Sequence, residues 1–173
     1  MAGELYTRTN QKIFYAGLSL ESWRKAEEGR AMNAQALVQA EREATLFHLY
    51  GALLGLCHEI AGFYRLPNSS AARAEVLLDR QNLDGAPSPE LAELVELAAN
   101  RDTWLGQLLA AHAELFKPPR PPREPKGEPI ASALIQAVSV DEQAPPLARE
   151  TLENWRQELK ALARRFREGL SEW

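Results

Sequence analysis

The chain has 173 residues, 45% of them hydrophobic and 25% charged, a composition that places it among globular proteins and excludes disorder throughout. That length makes one domain, or one domain with a tail, with enough apolar material for a real core. A formal net charge of −4 argues against a protein that works chiefly on phosphate backbones.

The charge is uneven. Residues 1–65 hold 7 basic and 7 acidic side chains, 66–116 hold 3 and 8, and 117–173 hold 10 and 9, so the middle is acidic and the last third is rich in arginine. Cys57 is the sole cysteine; an internal disulfide framework is impossible, which suits a reducing cytoplasm. Set among Leu53, Leu54, Leu56 and Ile60, it reads as a small buried hydrophobe. The opening MAGELYTRTNQ is polar and lacks the apolar stretch of a secretion signal.

In chain order, Thr9 or Asn10 is expected to cap a first helix that runs to Glu28 and ends at Gly29. Within it Ile13, Ala16, Leu20 and Trp23 recur at three- and four-residue steps, and Phe14 with Leu18 widens the stripe. A second helix is predicted from Met32 to Leu66, stopped by Pro67, with room for a break at Ala36–Ala40; unbroken, it is roughly 50 Å long. A short third helix follows at Ala71–Asn82, then a loop at Gly85–Pro87. Ser88, Pro89 and Glu90 form a start signal: a capping hydroxyl, a proline at the first helical position and an acid at the positive end of the dipole. That fourth helix keeps its period through Leu91, Leu94, Ala98, Leu105, Leu108, His112 and Leu115 to Phe116, with an interruption expected at Asn100–Thr103.

Lys117–Pro129 has six prolines in thirteen residues and is expected to be an extended spacer. A short helix (Ile130–Val138), a loop (Ser139–Pro146) and a final amphipathic helix follow. The last carries Leu152, Trp155, Leu159, Leu162, Phe166 and Trp173 on one stripe. No stretch alternates long enough to be a strand. The organisation expected is all-α: an antiparallel bundle over 1–116 with a long central helix, a proline-rich linker over 117–129, and a helical C-terminal arm over 130–173 that folds back or pairs with a partner.

The central segment Ala44–Tyr64 has no Lys or Arg, three glycines, two histidines and one glutamate. It is long enough to span a bilayer, and Gly51 with Gly55 matches a small-residue packing motif. Glu59 and His58 lie well inside it, and no aromatic belt or basic flank accompanies it, so it reads as the core helix of a cytoplasmic protein. Its slim arc holds Ala44, His48, Gly51, Ala52, Gly55, His58, Glu59 and Gly62 where a solvated face would carry lysines and glutamates. Tight packing within the chain accounts for that arc, with a homodimer seam or a ligand groove as alternatives. His48 and Glu59 are about three turns apart and cannot share a ligand on one helix. No Glu-x-x-His, His-x-x-x-His or Cys-x-x-Cys spacing occurs, so neither a metal nor a cofactor is implied. His48 reads as a hydrogen-bonded interface histidine, and His112 as a core-facing one.

Arg42 and His48 form an Arg-x5-His spacing at the start of the central helix. It resembles the signature of the HEPN superfamily, helical ribonucleases and nucleotide-binding partners of nucleotidyltransferases. The resemblance implies that Arg42 and His48, with their copies in a second protomer, surround a scissile phosphate. Glu43 stands where that signature has a polar residue beside the arginine. On the last helix Arg164, Arg165 and Arg167 could touch nucleic acid, although Glu158 and Glu168 dilute the run, and docking on the acidic 66–116 region is the simpler account.

The segments GELYTRTNQKIFYAGLSLESWRKAEEGRAMN and AEREATLFHLYGALLGLCHEIAGFYRLP are similar to an uncharacterised family of small cytoplasmic proteins from pseudomonads. The similarity covers about the first 67 residues and implies a bacterial, cytosolic, helical protein; it carries no activity with it. The function expected is a non-enzymatic interaction or regulatory module acting through helix–helix contacts with a protein partner or a second copy. Its interface candidates are His48, Gly51, Gly55, Glu59, Trp155, Phe166 and Trp173.

Overall fold

The computed structural model describes residues 2–85, 87–118 and 145–171. Among them are seven helices and no strand: α1 (Ala2–Glu28), α2 (Ala34–Phe63), α3 (Ala74–Leu77), α4 (Gln81–Gly85), α5 (Pro89–Ala99), α6 (Trp104–Glu114) and α7 (Arg149–Ser171). The all-α fold and the long central helix are as the sequence predicts. The greater part of the proline-rich spacer, the helix expected at 130–138, and Trp173 lie outside the described residues.

α1 begins seven residues before the expected Thr9 cap. Thr9 is an interior helical residue whose Oγ1 donates to the Leu5 carbonyl at 3.3 Å, the alternative use of a threonine hydroxyl that a cap signal competes with. α2 runs unbroken over 30 residues. It ends in a Schellman turn: the Leu66 amide donates to the Ala61 carbonyl at 2.9 Å and the Arg65 amide to Gly62 at 3.3 Å. Arg65 sits at φ 52°, in the left-handed region usually left to glycine. The third helix expected over Ala71–Asn82 is instead two short turns, α3 and α4, because Asn82 bonds back to the Val76 and Leu77 carbonyls and ties the link into a loop.

The Ser88 start signal is realised: its Oγ accepts from the Leu91 amide at 3.2 Å. The interruption before Trp104 is realised too. Thr103 caps α6 by accepting from the Gly106 amide at 3.1 Å, and its hydroxyl donates to the Leu97 carbonyl across the corner. A side chain at Gly106 would put its Cβ 2.1 Å from the Asn100 carbonyl oxygen, so the corner closes only around glycine.

α2 is the axis of the bundle. α1 lies antiparallel along its slim arc, where a Cβ on Gly55 would meet Thr9 Cα at 3.2 Å and one on Gly51 would meet the Lys12 methylenes at 3.2–3.4 Å. Leu49, Leu53, Leu56 and Ile60, all essentially inaccessible, turn inward toward α5, α6 and α7. Helix α7 closes the bundle by running antiparallel to α1, from an Arg149–Glu27 pair at one end to an Arg167–Asn10 contact at the other. Trp155 and Phe166 are only 4% and 3% exposed. Named from sequence as interface candidates on an arm that folds back or pairs with a partner, they are core residues of this chain, on the stripe they share with Leu152, Leu159 and Leu162.

Candidate binding groove

Two edges of the α1–α2 pair differ sharply. On the α7 edge, Glu59 has a side chain only 1% exposed, and Arg167 reaches it with Nε at 2.8 Å and Nη2 at 2.7 Å. The same guanidinium donates to Asn10 Oδ1 at 2.9 Å and lies 4.7 Å from the Tyr6 ring centre, so a buried carboxylate has a bidentate partner held in place from three sides. The Glu59 hydrogen bonds raise the Arg167 pKa above its ordinary value. Farther along, Arg156 donates to the Ile13 carbonyl at 2.9 Å; Gly17 leaves the space its guanidinium occupies.

On the opposite edge, α1, α2, the start of α3 and the end of α6 enclose a groove of about 690 Å³. Gly51 and Gly55 form part of its floor, and its walls carry Phe47, Tyr50, His112 and Phe116. The Tyr50 and His112 rings are stacked 3.7 Å apart and nearly parallel, and Phe116 tilts onto His112 at 5.2 Å. Tyr50 Oη donates to Glu75 Oε2 at 2.6 Å and accepts from the Ala74 amide at 3.0 Å; burial and then the Glu75 bond push its pKa up to about 12. Burial likewise lowers the His112 pKa. His58 Nε2 is 2.7 Å from the Ala71 carbonyl, which fixes the proton on that nitrogen.

Three cations line this groove. Arg73 stands 3.7 Å from Glu75. Arg8 and Lys12, one turn apart on α1, have no carboxylate partner among the described residues. The Lys12 ammonium instead lies 5.1 Å from the Phe47 ring centre and 5.9 Å from that of Tyr15.

The full chain, residues 1–173, matches the Family of unknown function (DUF6586). It belongs to that family. No curated protein and no solved structure matches the chain.

The residues singled out from sequence fall into place differently in this DUF6586 chain. Gly51, Gly55 and Glu59 are covered from within, by Lys12, Thr9 and Arg167 respectively, as close packing of the slim arc requires. His48, read from sequence as a hydrogen-bonded interface histidine, is half-buried and packs edge-on against Tyr15 and Phe47, and its Nδ1 is buried without a hydrogen-bond partner among the described residues. Burial, with Lys12 adding to it, lowers its pKa. Arg42 and His48 are not brought together. Six residues apart, they project about 120° from one another around the helix. Arg42 donates to the Leu147 carbonyl at 3.1 Å and lies over Trp23 at 5.0 Å, where it fastens the entry of α7 to the bundle.

The arginines proposed for nucleic acid are engaged as well. Arg167 holds Glu59, Arg165 forks onto Glu93 of the acidic middle region, and Arg164 pairs with Glu168 at 3.1 Å. Cys57 is wholly buried, and desolvation pushes its pKa up to about 12, so it is an inert packing residue. Among the described residues no cluster of three or more His, Cys, Asp or Glu is placed to hold a metal. Among the described residues one helix, α2, is long and apolar enough to cross a membrane, and 61% of its most apolar window is buried inside the bundle.

Sequence reasoning missed Arg8 and Lys12. A like-charged pair at four-residue spacing on a helix is mildly unfavourable and could have been flagged. Their lack of partners depends on elements far away in sequence.

Proposed function

We propose that this chain is a non-enzymatic helical interaction module that acts in the bacterial cytoplasm by pairing α1 with a second copy of itself. The observation that supports this is an apolar ridge on the outer face of α1. Phe14 and Leu18, one helical turn apart, are 59% and 51% exposed, with Tyr15 beside them and Phe47 of α2 53% exposed across the helix pair. Apolar side chains grouped this way on an otherwise charged helix mark a contact face. A two-fold pairing of α1 with its copy would bury the ridge against itself. The cytoplasmic reading is supported by the lone buried cysteine and by the way the apolar stripe of α2 is spent on the bundle.

Light scattering across a concentration series tests the reading. A dimer that the double variant Phe14→Ser, Leu18→Ser converts to a folded monomer supports it; a wild-type monomer at every concentration overturns it. RNA cleavage by the purified protein, abolished in His48→Ala, would instead favour a HEPN-type ribonuclease. Against that alternative stand the engagement of Arg42 with Leu147 and Trp23 and the position of Glu43 beside it.

A further inference from the structure

The groove beside Arg8 and Lys12 meets the α1 ridge at Phe47, which borders both, and has its own chemistry. We propose that it binds a small planar organic anion, with the negative group held by Arg8 and Lys12 and the ring lying against Phe47 and Phe116.

Charge is the first support. The chain is net negative, and the arginines that pack α7 onto the bundle each meet a carboxylate or a main-chain carbonyl. Among the described residues Arg8 and Lys12 meet neither. Two adjacent cations on one helix repel each other, a small cost that an anion between them reverses. The carboxylate on the groove wall does not fill that role: Glu75 accepts from Tyr50 and stands beside Arg73, and it forms an ion pair with neither Arg8 nor Lys12.

Order is the second support. The Lys12 stem lies flat on Gly51, close enough that a Cβ there would crowd three of its carbons, and its ammonium rests over Phe47. A lysine held down in this way presents its charge at a fixed place and loses less entropy when it takes a ligand than a free surface lysine does.

The shape and lining select the ligand. A volume of about 690 Å³ lies within the range of small-molecule sites, and aromatic walls with a few convergent polar groups are their usual composition. The exposed Phe116 and Phe47 offer ring faces, whereas Tyr50 and His112 already cover one another. Nucleic acid is a poorer fit, because tracking a backbone takes a row of cations and the groove has two to spare.

The test uses the full chain and three probes of one shape: 2-naphthoate, 2-naphthyl phosphate and the neutral 2-naphthamide. Binding is followed by calorimetry and by the imidazole resonances of His58 and His112, which line the groove. At least one anion should bind about tenfold or more tighter than the amide, and whichever is tighter identifies a carboxylate or a phosphate as the preferred group. Lys12→Gln and Arg8→Gln should each reduce anion affinity about tenfold and leave amide binding unchanged, while Arg164→Gln on α7 should change nothing. Both groove variants remove cations that make no ion pair among the described residues, so an unchanged unfolding midpoint serves as the folding control. Equal affinity for the amide, full affinity in both groove variants, binding that leaves the His58 and His112 resonances unmoved, or no binding by any probe overturns the proposal.

Discussion

The two edges of the α1–α2 pair are built from the same two helices and reach opposite states. On the α7 edge a buried glutamate, three arginines and a glycine notch are matched group for group, and the edge is sealed. On the groove edge Arg8 and Lys12 stand one turn apart, Lys12 over aromatic rings, and neither has a carboxylate partner among the described residues. This chain thus shows that it can satisfy its cations where a helix must be fastened. What sets Arg8 and Lys12 apart from other surface cations is their place one turn apart beside an aromatic-walled groove.

Breaking the sealed edge should cost most. Trp155→Ala empties a large buried site at the α7 contact and should destabilise by about 3–5 kcal/mol in urea unfolding; a loss below about 1 kcal/mol would mean that α7 is not part of the cooperative unit. Glu59→Ala strands Arg167, whose side chain keeps only 21% of its surface in water, and should cost about 3 kcal/mol. Replacing the pair together, Glu59→Leu with Arg167→Met, should cost less than either single loss.

Gly55→Ala forces α1 away from α2 at Thr9 and should cost about 1–3 kcal/mol, visible as a lower urea midpoint at an unchanged slope. The groove edge should respond in the opposite manner. Lys12→Gln is expected to move stability by no more than about 0.5 kcal/mol, since the charge it removes fastens nothing; a larger loss would make Lys12 a structural residue and erase the contrast.

Acid should sharpen the same contrast. His48 and His112 both have pKa values lowered by burial, so on unfolding they take up protons once the pH falls below their ordinary value near 6.5. Stability should therefore be fully present above that value and fall as the pH drops toward the folded pKa values. Lys12 bears on His48, and Glu75 and Arg73 bear on His112. His48→Gln with His112→Gln should flatten the fall between pH 7 and 5; an unchanged slope would place the sensitivity elsewhere.

Much of the fold was legible because local chemistry announced it. Ser88-Pro89-Glu90 names a helix start through groups that act within one turn, and Asn100–Thr103 names a corner the same way. The slim arc of α2 was legible as a close approach because only small side chains permit one. The destination of α7 was not. A stripe of Leu152, Trp155, Leu159 and Phe166 says that one face is buried but not what buries it, and the answer lay in residues more than a hundred positions away. The candidate site was least legible, since what distinguishes Arg8 and Lys12 is the aromatic-walled groove beside them, which only the assembled bundle creates.

The clasp between Arg167 and Glu59 spans 108 residues of sequence, which orders events during synthesis. At about 5–20 residues per second, roughly 5–20 s separate the emergence of the glutamate from that of its arginine. Through that interval the long apolar central helix is on the ribosome without the element that shields one of its flanks. A nascent chain of this design should lean on holding chaperones until its last two dozen residues arrive, and a premature stop before Arg149 should yield a sticky fragment rather than a smaller working domain.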